Sequence, residues 1–212
     1  MSTRPRLICF DWDGTLINAS DNITYSIIET GVSFGYKRLH PKLIESKIGL
    51  PFGQVINALF PNININAFER LYLETYQERP ISALLPHALE VIHHLKHAFI
   101  LSIVTNKQKV LVEKELQHYK LEQSFDSVFS AQDYAAKPSP IMLREAAMSH
   151  HVSLSETWLV GDSLSDFYAA QSASINKVIL LKPKHIPRWG DNLISIQTLD
   201  ELCQLLSVPV YE

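Results

Sequence analysis

Short unbroken apolar runs recur along the chain, separated by longer stretches in which apolar residues return every three or four positions. The runs are Leu7-Ile8-Cys9-Phe10, Phe99 to Val104, Ser127-Val128-Phe129, Trp158-Leu159-Val160, Lys177 to Leu181 and Leu193 to Ile196. Their continuity predicts strands buried on both faces, as in a parallel sheet. Between them the helical period dominates. Pro86 opens a helix whose Ala88, Val91, Ile92 and Leu95 form one apolar face, and another helix runs to about Tyr119 with Val112 and Leu116 inward. A long helix is expected after Pro140, and an alanine-rich one after Asp166. Strands alternating with helices predict a doubly wound, Rossmann-like α/β parallel sheet.

One stretch breaks the alternation. From about Ser20 to Glu78 the period is helical throughout, as in Phe68, Leu71, Tyr72 and Tyr76. Ser20 and Asp21 supply a helix start, and Gly49-Leu50-Pro51 and Phe60-Pro61-Asn62 supply breaks. The pattern predicts a small all-α domain at residues 17–81, inserted after the first strand of an α/β core made of residues 1–16 and 82–212. The run Leu181 to Asn192, with Pro183 and Pro187, reads as a surface loop.

Composition narrows the function classes. With 212 residues and 46% hydrophobic content the chain can fill a sizeable core, and its net charge of −3 offers no basic field for nucleic acid. The apolar run after Arg4 and Arg6 is too short for a signal peptide, and no segment reaches the length of a membrane-spanning helix. Two cysteines, Cys9 and Cys203, suggest no disulfide framework, so a cytoplasmic setting is expected.

The chemistry-bearing residues follow the strands. Asp11 and Asp13 end the first run and lead into Gly14; by itself Asp-x-Asp-Gly is equally a turn or a fragment of a calcium loop. Thr105-Asn106-Lys107 ends the second run, Lys137-Pro138 follows the third, and Asp162 and Asp166 follow the fourth. Ligands of such sheets bind beyond the carboxyl ends of the strands, so these residues should share one crevice. Four carboxylates brought together call for a cation, and oxygen-only ligands favour Mg2+. A metal ion, a hydroxyl, a backbone amide and a lysine make a cradle for a phosphoryl group. A carboxylate is also a nucleophile toward phosphorus, which points to an aspartyl-phosphate.

These motifs, in this order, resemble those of the haloacid dehalogenase superfamily. Thr105-Asn106-Lys107, Lys137-Pro138-Ser139-Pro140 and Val160-Gly161-Asp162-Ser163 resemble its phosphoglycolate phosphatase branch. The resemblance implies that Asp11 is nucleophile and magnesium ligand, and that Asp13 is general acid and base with its carbonyl a further ligand. It implies that Thr105 and the amide of Asn106 hold the phosphoryl oxygens, that Lys137 neutralises the nucleophile and the transferring group, and that Asp162 and Asp166 complete the metal site. Gly14 and Thr15 would support the loop around Asp13. A helical cap closing over the site is implied for the insert, with Lys47 and Gly49 as candidate specificity residues on a small phosphorylated metabolite. Where relatives often carry glycine this chain has His87, Ala98 and Ser174, so a different backbone is expected at those places; Asn18 replaces an aspartate.

Other residues admit plainer readings. Glu90, His94 and His97 share a face with His87, opposite the apolar stripe, and read as solvated rather than metal-binding. His150-His151 suits a helix end. Cys9 reads as a small core residue, Trp12 either as a leaving-group contact or as packing against the insert, and Lys47 as an ordinary exposed helix residue. The leading expectation is a magnesium-dependent phosphatase acting on a small phosphomonoester. A phosphomutase of the same branch and a non-catalytic phosphoryl-ligand binding protein are the alternatives. A dehalogenase would have no use for Asp13 and the metal ligands.

Overall fold

A computed structural model describes residues 4–183 and 192–207. Six strands, β1 (Leu7–Phe10), β2 (Ile100–Thr105), β3 (Ser127–Ser130), β4 (Thr157–Gly161), β5 (Lys177–Leu181) and β6 (Leu193–Ile196), form one sheet in the order β3-β2-β1-β4-β5-β6. Every pairing is parallel, with Phe10 opposite Ile103 on one side and Val160 on the other. The chain builds outward from β1 in both directions, so β1 is the switch point and its carboxyl end opens the crevice.

Alternate residues of β1 serve opposite layers, as the pleat requires. Ile8 and Phe10 join a core with α5 (Ala88–Leu95), α6 (Lys109–Tyr119) and α9 (Asp200–Leu206), whereas Leu7 and Cys9 join one with α7 (Ile141–Ser149) and α8 (Leu164–Ala173). Burial pushes the Cys9 thiol up to about 12, consistent with a packed core residue.

Between β1 and α5 lie α1 (Ser20–Ser33), α2 (Pro41–Glu45), α3 (Phe52–Leu59) and α4 (Ile65–Gln77). They have their own apolar cluster, including Ile27, Ile56, Phe60, Phe68 and Tyr72, and Leu111 of α6 belongs to it. Thus α6 is the seat of the insert. Its two connections are clasped together: Ile17 bridges Leu84, and the Asn18 amide donates to the Ala83 carbonyl at 2.8 Å.

Several local expectations are corrected. The helix after Pro140 is short, with 9 residues, because His150 and His151 leave it. His87 and Ser174 keep the left-handed backbone, with φ of 65° and 60°, even without glycine. Ala98 has no positive φ. The predicted loop at Leu181 to Asn192 falls largely on residues 184–191, outside the described residues.

Candidate active site

β1 delivers Asp11 to the crevice, where its amide continues the ladder by donating to the Val160 carbonyl at 2.8 Å. The turn that follows is closed by backbone bonds: the Gly14 amide to the Ile17 carbonyl at 2.8 Å, and the Leu16 and Ile17 amides to the Trp12 carbonyl at 3.0 and 3.1 Å. Gly14 has φ +86°, and a Cβ there would collide with the Asp162 carboxylate, so two loops approach as closely as only glycine allows. The buried Thr15 Oγ1 has no hydrogen-bond partner among the described residues.

Lys137 is the hub of one half of the site. Its Nζ donates to Asp11 Oδ1 at 2.7 Å, to Asp166 Oδ1 at 2.6 Å and to the Val104 carbonyl at 2.8 Å. Asp166 is the N3 residue of a capping box on α8: its Oδ2 accepts from the Ser163 amide at 3.0 Å and from Ser163 Oγ at 2.6 Å. Both Asp166 oxygens are therefore engaged. Asp11 Oδ2 and the Asp162 carboxylate accept from no protein donor among the described residues.

Carboxylate oxygens of Asp11, Asp162 and Asp166 lie within 4.8 Å of one another, the one group able to hold a metal ion among the described residues. Among the described residues only Lys137 forms ion pairs with this group, bridging Asp11 and Asp166. Burial pushes the Asp11 carboxyl up to about 6, Lys137 pulls it back, and the Asp166 charge raises it further. Asp162 is held well above the ordinary carboxylate range by burial and by Asp11 and Asp166. Burial works against the Lys137 charge, but Asp11 and Asp166 outweigh it and keep the ammonium protonated. A site short of positive charge and made of oxygen donors fits a small hard divalent cation.

Asp13 faces a different environment. Its Oδ1 accepts from Lys107 Nζ at 2.7 Å, and its carboxylate stands outside the three-acid group. Thus two acids one residue apart have separate lysines. Thr105 ends β2 with its Oγ1 accepting from the Lys107 amide at 3.1 Å, which leaves the hydroxyl proton to donate. Asn106 joins three segments: its Oδ1 accepts from the Lys137 amide at 2.8 Å, and its Nδ2 donates to the carbonyls of Lys137 at 3.1 Å and Gly49 at 3.4 Å.

Lys47 lies in the turn after α2, half-buried, rather than on a helix. With Gly49, Asp11, Asp13, Thr105, Asn106 and Lys137 it lines a cleft between insert and sheet. The insert's wall of this cleft is apolar, including Ile27, Leu50, Phe52 and Tyr72. Trp12 is completely buried and turned away, with its indole donating to Glu115 Oε2 at 2.6 Å and its ring edge-on to Phe125. It is not among the residues that line the cleft. The histidine face of α5 forms no metal-holding group among the described residues; His94 Nδ1 bonds the Glu90 carbonyl at 2.6 Å, and His87 pairs with Glu90. His150 bonds Ser127 Oγ at 2.8 Å.

Sequence reasoning missed Glu115, Tyr76 and the contact of Lys107 with Asp13. A signal was present: Glu115 stands among Leu111, Val112 and Leu116 on the buried face of α6, where a charge is costly unless paired.

The family model for haloacid dehalogenase-like hydrolases matches residues 8–180. The phosphoglycolate phosphatase of Vibrio cholerae is 27% identical over 182 residues, covering 79% of this chain and 80% of that one. That of Aquifex aeolicus is 26% identical over 195 residues, covering 87% and 85%. Among solved structures, CbbY from Rhodobacter sphaeroides in complex with phosphate superposes with a TM-score of 0.80 at 21% identity, covering 93% of this chain and 96% of that one. No helix among the described residues is long and apolar enough to cross a membrane.

Proposed function

The chain belongs to the haloacid dehalogenase-like hydrolases, and on that premise we propose that it is a magnesium-dependent phosphatase acting on a small, phosphoglycolate-like phosphomonoester through an aspartyl-phosphate. The observation that carries this reading is the separation of the paired acids: Asp11 belongs to Lys137 and the three-acid group, and Asp13 belongs to Lys107. Neighbouring carboxylates in distinct settings suit distinct roles. The phosphoglycolate phosphatase relatives support the same reaction class.

Asp11 and Asp162, with the Asp13 carbonyl, would hold the magnesium ion, and Asp166 would stand beside it while fixing Lys137. When bound, the ion supplies positive charge to the phosphoryl oxygens and the attacking carboxylate. Thr105 Oγ1 and the Asn106 amide hold the phosphoryl group in line, and Lys137, its three protons on Asp11, Asp166 and the Val104 carbonyl, contributes its nearby positive charge. A carboxylate oxygen of Asp11 forms a bond to phosphorus as the ester P–O bond breaks, and Asp13 gives its proton to the departing oxygen. Water then attacks phosphorus, giving its proton to Asp13, and phosphate leaves with Asp11 restored. The insert, residues 17–81, acts as a cap over the cleft, limiting water during the first step.

Among the cleft lysines, Lys107 and Lys137 are already paired with carboxylates, whereas Lys47 has no such partner among the described residues. A leaving group carrying one anionic substituent would find its counter-ion at Lys47, and the apolar wall offers few partners to the hydroxyls of a sugar. This favours hydrolysis of a compact ester over the mutase chemistry of the same branch.

A phosphate-release screen over phosphoglycolate, hexose phosphates, nucleotides and pyrophosphate tests the reading. Release from the carboxylate-bearing ester is expected with magnesium, and none with chelator or with Asp11→Asn. Substantial release by that variant without magnesium would overturn it, and isomerisation of a hexose phosphate would identify a mutase instead.

A further inference from the structure

Lys107 is buried, its side chain 3% exposed, and the three protons of its ammonium meet three acceptors: Asp13 Oδ1 at 2.7 Å, Tyr76 Oη at 2.8 Å and Glu115 Oε1 at 3.0 Å. None is left for a substrate. Glu115 holds the other side of the assembly. Its Oε1 also accepts from the Tyr76 hydroxyl at 3.1 Å, and its Oε2 accepts from the Trp12 indole at 2.6 Å. One carboxylate thus grips both the lysine that touches Asp13 and the residue between Asp11 and Asp13.

Tyr76 comes from the last turns of α4, the end of the insert. Its hydroxyl lies 3.3 Å from Ser82 Oγ, which in turn accepts from Asn22 Nδ2 at 2.8 Å. Asn22 and Ser82 flank the two connections between insert and sheet, so the hydrogen-bonded chain runs from that junction to Asp13. The companion contacts of α6 follow the same seam: Lys114 Nζ donates to the Gln77 carbonyl at 2.9 Å, and Gln108 bonds Glu69.

We propose that Lys107 and Glu115 are positioning residues for the proton-transferring carboxylate of Asp13, and that Tyr76 ties their arrangement to the seating of the helical insert. The proposal rests on the phosphatase reading above. Lys107 occupies Oδ1 of Asp13, while Oδ2 accepts from no protein donor among the described residues and is available to the leaving oxygen. Glu115 neutralises Lys107, so Asp13 receives an orientation rather than a net cation. A purely structural role would be served as well by apolar residues, because buried ion pairs seldom stabilise more than well-packed hydrophobic side chains. When the insert swings away Tyr76 leaves with it, and Lys107 loses one of the acceptors that hold it against Asp13.

Proton delivery matters most when the departing oxygen is a poor leaving group, so two esters separate positioning from stability. The quantity to measure is kcat/KM with magnesium, which reads the steps up to departure of the alcohol, for an alkyl phosphate and for p-nitrophenyl phosphate. Lys107→Met is expected to lower the alkyl value about 1,000-fold and the aryl value only about tenfold. Tyr76→Phe, which keeps the ring, should lower the alkyl value about tenfold and the aryl value about twofold. Equal losses for both esters, or none, overturn the proposal. Should Lys107→Met fail to fold, Tyr76→Phe decides by the same criterion. Wild-type protein inactive on both esters would overturn the phosphatase reading and this proposal with it, whereas equal losses overturn the proposal alone.

Discussion

At the scale of single residues, Asp11 is a carboxyl whose folded pKa, pushed up to about 6, lies above the 3.8 of the free side chain. Such a group adds stability below the unfolded value, and that contribution is lost as pH rises through the folded one. The shift of about two units corresponds to something on the order of 3 kcal/mol. In chelator, the thermal midpoint should therefore fall between about pH 4 and pH 7, and magnesium added at pH 7 should restore it. A midpoint that stays flat over this range, or that magnesium leaves unmoved, would contradict the charge imbalance drawn for Asp11, Asp162 and Asp166. Asp11, Thr105 and Asp162 were legible in the sequence because each stands at the end of an apolar run. Glu115 was not, because its meaning depends on partners outside its own helix: Lys107 just before α6, and Tyr76, which reaches it from the insert across the seam.

At the scale of elements, four helix boundaries among the described residues carry a left-handed residue that is not glycine: His87, Lys120, Ser174 and Ser207. His87 precedes α5 and Ser174 follows α8. The Ser174 amide closes the α8 terminus on the Gln171 carbonyl at 3.0 Å, and the buried Ile175 amide reaches the Ala170 carbonyl at 3.3 Å. These bonds, with Ile175 packed in the core, hold the backbone in place despite a steric cost of about 1 kcal/mol. Ser174→Gly should consequently raise unfolding stability by about 0.5–1 kcal/mol in urea titration, with little change in activity. The sequence marked His87 and Ser174 as departures but could not show that the backbone would be kept rather than altered. At the other end of α8, Ser163 and Asp166 form a capping box, and the Asp166 carboxylate that caps the helix also holds Lys137.

At the scale of the whole molecule, α1 to α4 have an apolar cluster separate from the two layers that cover the sheet, meeting them mainly over α6. Units with separate cores open separately. Amide hydrogen exchange should find the α1 to α4 helices exchanging together and faster than β1, β2 and β4, which have paired neighbours on both sides; uniform protection would show a single cooperative unit. The sequence by itself determined the alternation of buried strands and helices, the helical insert, and the acids, threonine and lysine at the strand ends, because burial on both faces and backbone turning constrain adjacent residues directly. Tertiary structure alone decided the partners. That Lys137 serves Asp11 while Lys107 serves Asp13, that Trp12 turns inward to Glu115, and that Lys47 faces the cleft depend on how α6 and the insert pack over the switch point at β1. Such pairings are fixed by distance in space, and no spacing along the chain encodes them.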